Sequence, residues 1–137
     1  MPEYNTLREK IAAEKAERLE RYAEFQRLYD QAQVAGLQAG YDVTPTPMIV
    51  GNYPPVMDGV CGFAWVAVAP RNSSFGKWLV KEGLGRSSDY HKEVQIWIRA
   101  HEQSYTRKVA HAQAMADVFN SSPLLANTRI YATGRLD

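Results

Sequence analysis

Cys61 and the three histidines, His91, His101 and His111, are the residue types that could supply a nucleophile, a base or a metal ligand. A cysteine nucleophile needs a base such as a histidine held beside it, and no pattern places a histidine near Cys61, which precedes an uncharged, strand-like run. We therefore expect a buried, unreactive thiol. No two histidines lie at i,i+4, and no cysteine or carboxylate pair completes a zinc set. These residues predict neither a catalytic site nor a metal site.

A cluster of cationic and hydroxyl residues marks the start of a predicted helix: Arg71, Ser73, Ser74 and Lys77. Backbone N–H groups and the dipole at a helix N-terminus favour anions, so these residues are a candidate phosphate site. The alternative is a helix capped by a serine, with solvated charges beside it. The sequence contains no glycine-rich loop of the kinds that bind mononucleotides or dinucleotides.

The stretch Cys61–Ala69 reads C-G-F-A-W-V-A-V-A, without charge and rich in strand-favouring residues. Its segment Gly62–Val66 resembles the aromatic consensus of RNA-recognition domains, in which such rings stack on bases. The resemblance implies that these rings bind single-stranded nucleic acid. Cys61 stands where that consensus has Lys or Arg, and Val68 where it has an aromatic residue. The alternative, which we prefer, is an aromatic sheet face packed against another surface.

Side chains alternate across a strand, so three predicted strands, Cys61–Ala69, Val94–Arg99 and Arg129–Thr133, each carry two rows. The aliphatic rows are expected to pack against helices. The opposite rows form a candidate interaction face, which consists of Phe63, Trp65, Gln95, Trp97, Arg99 and Tyr131. Exposed aromatic patches mark contact surfaces. We therefore expect the N-terminal helix, a partner or a flat ligand to cover this face.

A long N-terminal helix is predicted from Thr6 to about Ala39, capped by Thr6 or Asn5. At 1.5 Å per residue it would be about 45–50 Å long, which exceeds the width of the remaining domain. Residues up to Arg21 are mostly charged, whereas residues 19–37 contain one apolar face. The first half is expected to project as a charged arm, and the second half is expected to dock.

Two shorter helices are predicted, one over Phe75–Glu82 and one that begins at Ser104. Arg107 and Lys108 put positive charge in the first turn of the second of these helices, against the preference of the helix dipole. This unfavourable placement indicates that the two side chains have another role. The segment Arg86–Lys92, between the Phe75–Glu82 helix and the second strand, is expected to be a polar loop.

The fold class is predicted as α+β, a small three- to four-stranded sheet with two helices on one face, plus the long N-terminal helix. Residues 1–40 are assigned to that helix and residues 59–137 to an α/β domain. Between them, residues 41–58 form a proline-rich linker with a short edge strand at Met48–Val50.

Length, charge and composition exclude several classes of protein. With 137 residues, the chain suits one domain plus an extension. The net charge of +1 is far from the basic balance of nucleic-acid-binding proteins, and one cysteine excludes an intrachain disulfide. No apolar run reaches the roughly 18 residues of a membrane span. The polar N-terminus does not have the pattern of a secretory signal.

Three strings resemble a group of small uncharacterised proteins encoded by tailed bacteriophages: Asp58–Val66, Gln103–Ala112 and Gly134–Asp137. The resemblance covers about residues 58–137 and leaves the N-terminal helix unmatched. It implies a phage-encoded structural or accessory protein, and it brings no activity and no site residue.

We therefore expect a non-enzymatic interaction protein with a virion-associated structural or assembly role. The alternative is a single-stranded nucleic-acid or nucleotide binder that uses the aromatic face. No cofactor and no metal are expected. The expected partner is another protein, or a second copy bound through the N-terminal helix, rather than nucleic acid or a membrane. The expected location is the virion or the host cytoplasm.

Overall fold

The computed structural model describes residues 6–57 and 59–137, so Asn5 and Asp58 lie outside the described residues. In chain order the elements are α1 (Leu7–Asp42), β1 (Gly62–Ala69), α2 (Ser74–Lys81), β2 (Arg86–Ser88), β3 (Glu93–Trp97), α3 (Tyr105–Asn120), a 3₁₀ turn (Pro123–Leu125) and β4 (Arg129–Leu136). Three helices and a four-stranded antiparallel sheet confirm the predicted α+β class.

The helices begin at the hydroxyl residues that the sequence offers as caps. The side-chain oxygens of Thr6, Ser73 and Ser104 each accept a hydrogen bond from the backbone N–H three residues later, at 3.2, 3.1 and 3.3 Å. Each bond satisfies an N–H group that has no partner inside its helix. Local sequence therefore determines where α1, α2 and α3 begin.

The sheet has the order β2-β3-β1-β4. Trp65 lies opposite both Trp97 and Thr133, and Val66 lies opposite Ile96. Because neighbouring side chains point to opposite faces, this register gives one aliphatic face and one aromatic face, as the alternation predicted.

Two predictions about loops and edges were wrong in part. Arg86–Ser88, predicted as the start of a polar loop, is the edge strand β2 and pairs with the first residues of β3. These three polar residues show no alternation that would identify a strand. Met48 forms an isolated bridge with Val56, so the expected strand Met48–Val50 does not join the sheet.

The core lies between the aliphatic sheet face and the helices α2 and α3, with Val66, Ile96 and Phe119 at its centre. The docked half of α1 packs on α3 and contacts α2, where the Phe25 ring lies 5.2 Å from Phe75 and 5.7 Å from Trp78. The molecule thus has three layers: sheet, α2 with α3, and α1. Helix α3 is covered on both sides, by the sheet and by α1.

The first half of α1 is an arm, defined here as residues 7–21. Within it every side chain except that of Ala13 is exposed, and the first fully buried residue of the helix is Phe25. With 36 residues, α1 is about 54 Å long. The charged first half therefore projects, as the sequence predicted, because α1 is longer than the body on which its second half docks.

Candidate functional site

The predicted interaction face contains a cluster of stacked rings. The Trp65 and Trp97 rings are stacked, with centroids 4.7 Å apart and planes 25° apart, and Phe63 meets Trp97 edge-on at 6.0 Å. Gln95 belongs to the same cluster because its Oε1 accepts a 3.0 Å hydrogen bond from Trp97 Nε1. The structure thus brings four of the six predicted residues into contact.

This face is covered by its own side chains and not by the N-terminal helix. Trp65 is 8% exposed and Gln95 7% exposed, although α1 lies on the helical layer. The Arg135 guanidinium lies 5.4 Å from the Phe63 ring centre. On β4, the Arg129 guanidinium likewise lies 5.6 Å from the ring centre of Tyr131, which remains exposed. On the flat face, Trp65 therefore offers little ring surface to a base or a partner.

A cavity of about 930 Å³ opens between α1, α3, the α2–β2 turn and β3. It exists because β2 pairs with β3 only as far as Gln95, so the last residues of β3 extend past their edge neighbour. Phe63, Gln95, Trp97 and Arg99 of the interaction face line it. These four side chains therefore belong to a concave site as well as to a flat face.

The cavity is positively charged. Arg86, Arg99 and Lys108 line it, and none of the described residues that line it is an aspartate or a glutamate. Lys108 is 6% exposed, and its ammonium group forms no hydrogen bond or ion pair with any described residue. Its Nζ lies 5.7 Å from the centre of the Phe63 ring. This ammonium group faces the cavity without a carboxylate partner among the described residues, which makes Lys108 the most unusual residue of the site.

A chain of hydrogen bonds runs from one wall of the cavity, where Tyr29, Gln33 and His111 lie, to His101 outside it. His101 Nε2 lies 2.9 Å from His111 Nδ1, His111 Nε2 lies 3.0 Å from Gln33 Oε1, and Gln33 Nε2 donates to the Tyr29 hydroxyl at 2.8 Å. Because an amide oxygen can only accept, we assign the His111 proton to Nε2. His101 then donates to His111, and the hydroxyl proton of Tyr29 is directed to no described acceptor.

Both histidines of this hydrogen-bond chain are held neutral. Burial is the main cause that lowers the pKa of His111 to about 4, and the neighbouring His101 adds to it. Burial also lowers the pKa of His101, and the charges of Arg107 and Lys108 act in the same direction. The wall therefore contributes hydrogen-bonding groups without charge at neutral pH.

At the predicted anion site of α2, two of the four residues already have partners within the chain. Arg71 donates to Asp89 Oδ1 at 2.6 Å, and the Ser73 hydroxyl is used as the cap of α2. Ser74 and Lys77 are exposed. Phosphate binding at this site stays a prediction, and none of the described contacts supports it. Cys61, expected to be buried, is exposed, because it lies just before β1 in a single bridge to Ser104.

Sequence reasoning missed the cavity and the histidine pair. His101 and His111 are ten residues apart, and the loop before α3 brings them together. One signal was available: the basic pair at 107 and 108, opposed to the helix dipole. Arg107 donates to the carbonyl oxygens of Gly40 and Tyr41 at 2.7 and 3.1 Å, while Lys108 faces the cavity.

No protein-family model, curated protein or solved structure matches this chain. Within residues 6–57 and 59–137, no three His, Cys, Asp or Glu side chains are grouped so that they could hold a metal ion. None of the described helices has both the length and the apolar composition needed to cross a bilayer.

Proposed function

We propose that this chain is a non-enzymatic assembly protein that associates with a second copy of itself through the arm, residues 7–21. The observation that carries the proposal is the exposure of this helical segment, in which Leu7 is 73% exposed, Ile11 55% and Leu19 58%. A stable helix with so much free surface suits a contact with another chain. A structural role in a virion rests on the phage resemblance alone.

The arm continues the docked face of α1. Successive steps of three or four residues lead from Phe25 and Tyr22 back to Arg18, Glu14 and Ile11, which share one side of the helix. Leu7 lies one turn further along the same side. The face that packs on α2 and α3 in the body thus extends into solvent, and Glu14 and Arg18, at i,i+4 spacing, lie at the middle of this extension.

Charge favours a second copy over a strongly charged partner. The arm contains five basic residues and four acidic residues, so it is nearly balanced. A two-fold interface must be self-complementary. If two arms pair antiparallel, Glu14 of each copy lies opposite Arg18 of the other. Leu7 and Ile11 then reach the base of the partner arm.

The test uses charge reversal on the arm. Glu14→Arg and Arg18→Glu should each turn two attractive contacts into repulsive ones and weaken association about tenfold or more. The double variant, and an equimolar mixture of the two single variants, should restore it, because each again places opposite charges face to face. Sedimentation equilibrium over a range of concentrations measures the dissociation constants.

Glu20→Arg is the matched control, since it makes the same charge change on the opposite side of the helix and should leave association unchanged. A wild-type chain that remains monomeric at the highest concentrations would contradict the proposal. So would a double variant that associates no better than the single ones.

The alternative function, a nucleic-acid binder, has one supporting feature in the aromatic cluster. A stacked base needs an accessible ring face, and Trp65 is 8% exposed and already stacked on Trp97. The flat face therefore supports oligonucleotide binding less well than the arm supports self-association.

A further inference from the structure

We propose that the cavity between α1, α3 and the end of β3 binds a small aromatic anion of the nucleoside-phosphate class. The site is separate from the arm, and the proposal does not depend on self-association. Four features carry it: a cation in the cavity wall without a protein counter-charge, two further cations at the rim, aromatic rings in the same wall, and sufficient volume.

Lys108 gives the first reason to expect an anionic ligand. The Lys108 side chain is 6% exposed and lines the cavity, and none of the described residues of the wall is a carboxylate that could pair with its ammonium group. An anion inside the cavity supplies the missing partner. Arg86 and Arg99 are exposed members of the same wall, so they can attract and contact the same anion.

Phe63 and Trp97 give the reason to expect an aromatic ligand. Both side chains are half-buried, and they line the cavity with Lys108. A flat aromatic ligand can stack on such rings. The Tyr29 hydroxyl, whose proton has no described acceptor, and the Gln95 side chain provide polar contacts for a substituted ring. A ligand with a ring and an anionic group uses both halves of the wall.

The size and the closure of the cavity favour a mononucleotide as its ligand over an oligonucleotide. A cavity of about 930 Å³ lies near the upper end of the range for small-ligand sites. It lies behind the edge of β3 and is closed on one side by α1 and α3, so a single nucleotide can enter it. An oligonucleotide would instead need the flat aromatic face, where Trp65 is covered.

Isothermal titration calorimetry tests the proposal with AMP, GMP, CMP and UMP as probes. At least one of them should bind with a dissociation constant below about 1 mM. Its nucleoside and inorganic phosphate, which each supply half of the recognised chemistry, should bind at least ten times more weakly. Absence of binding by all four nucleotides would overturn the proposal.

Two variants locate the site. Lys108→Met and Arg99→Gln should each weaken the nucleotide at least tenfold, whereas Lys77→Met, which removes an exposed cation on α2, should leave the affinity unchanged. Lys108→Met should melt close to the wild type, because Met keeps most of the packing of the lysine's aliphatic stem. If that variant fails to fold, Arg99→Gln at the exposed rim decides the question.

Unchanged affinity in both cavity variants would overturn the site. The same conclusion would follow if an oligonucleotide bound more tightly than any mononucleotide, with affinity lost in Trp65→Ala and kept in Lys108→Met. That pattern would assign nucleic-acid binding to the flat face.

Discussion

His111 lies where three elements meet, and its environment determines its protonation. Gln33 of α1 and His101 of the loop before α3 each bind one ring nitrogen. The ring is 2% exposed, and the positive charges of Arg107 and Lys108 lie near its partner His101. A proton added to His111 would meet burial and nearby cations, with no carboxylate close by among the described contacts. The neutral ring is therefore part of the folded state.

The lowered pKa of His111 makes the stability of the protein depend on pH. The pKa of His111 is lowered from 6.5 to about 4 in the folded protein, so between these values the unfolded chain binds a proton that the folded chain does not. The free energy of unfolding should therefore fall as the pH is lowered from 6.5 to about 4. The loss from this residue should be roughly 3 kcal/mol in all. Urea denaturation at a series of pH values measures it.

His111→Gln keeps a side chain that can bond to Gln33 but removes the titrating group. In this variant the fall in stability over the same pH range should be clearly shallower. An equally steep fall in the variant would show that other groups, and not His111, are responsible.

At the scale of single residues, the sequence predicted the caps and the aliphatic rows but not this pair. Thr6, Ser73 and Ser104 could be identified because a cap depends on neighbours within three residues. The meeting of His101 with His111 depends on a turn in which His101 has a φ of 68° and Glu102 a φ of 51°. No local pattern of residue types marks such a turn.

Among the elements, α1 and α3 form the closest contact, and two glycines make it possible. Gly36 and Gly40 are one turn apart on the buried side of α1. A Cβ at Gly36 would lie 2.3 Å from His111 Cδ2, and a Cβ at Gly40 would lie 2.2 Å from His101 Nε2. The helices therefore approach at the histidine pair, and Arg107 binds the last carbonyl groups of α1 beside it.

Gly36→Ala should destabilise the protein, although the same change in a free helix is stabilising by about 1 kcal/mol. The added methyl group has to displace the His111 ring, and overpacking of this kind costs roughly 1–3 kcal/mol. Val34→Ala, at a position 69% exposed on the same helix, should change stability by less than about 0.5 kcal/mol. A stabilised Gly36→Ala variant would mean that α1 and α3 are not in close contact.

The elements also show where pattern reasoning fails. In α3, the apolar residues Ala112, Ala116 and Phe119 follow one another at steps of four and three, and all three are buried. Lys108 and His111 are buried as well, because α1 covers the second side of α3. Polar residue types are normally assigned to solvent, so a polar residue between two layers can be identified only when the layers are known.

For the whole molecule, the three layers determine which surfaces remain free. The sheet protects its aromatic face with its own rings and arginines, and α1 covers α3. The cavity at the end of β3 and the arm are then the two surfaces with unusual chemistry. The arm could be predicted because its length and charge are properties of the local sequence. The cavity could not, since it depends on β2 being shorter than β3.

Removal of residues 1–18 tests whether the body is independent of the arm. Nearly all side chains of that segment that the structure describes are exposed, and the first fully buried residue is Phe25. The truncated chain should therefore unfold cooperatively, with a free energy of unfolding within about 1 kcal/mol of that of the full chain measured as a monomer. Self-association should be lost, while binding of a nucleotide in the cavity should be kept. Thermal and urea unfolding, followed by circular dichroism, measure the first result. If the truncated chain shows no cooperative transition, residues 1–18 are part of the folding unit, and the division into arm and body is wrong.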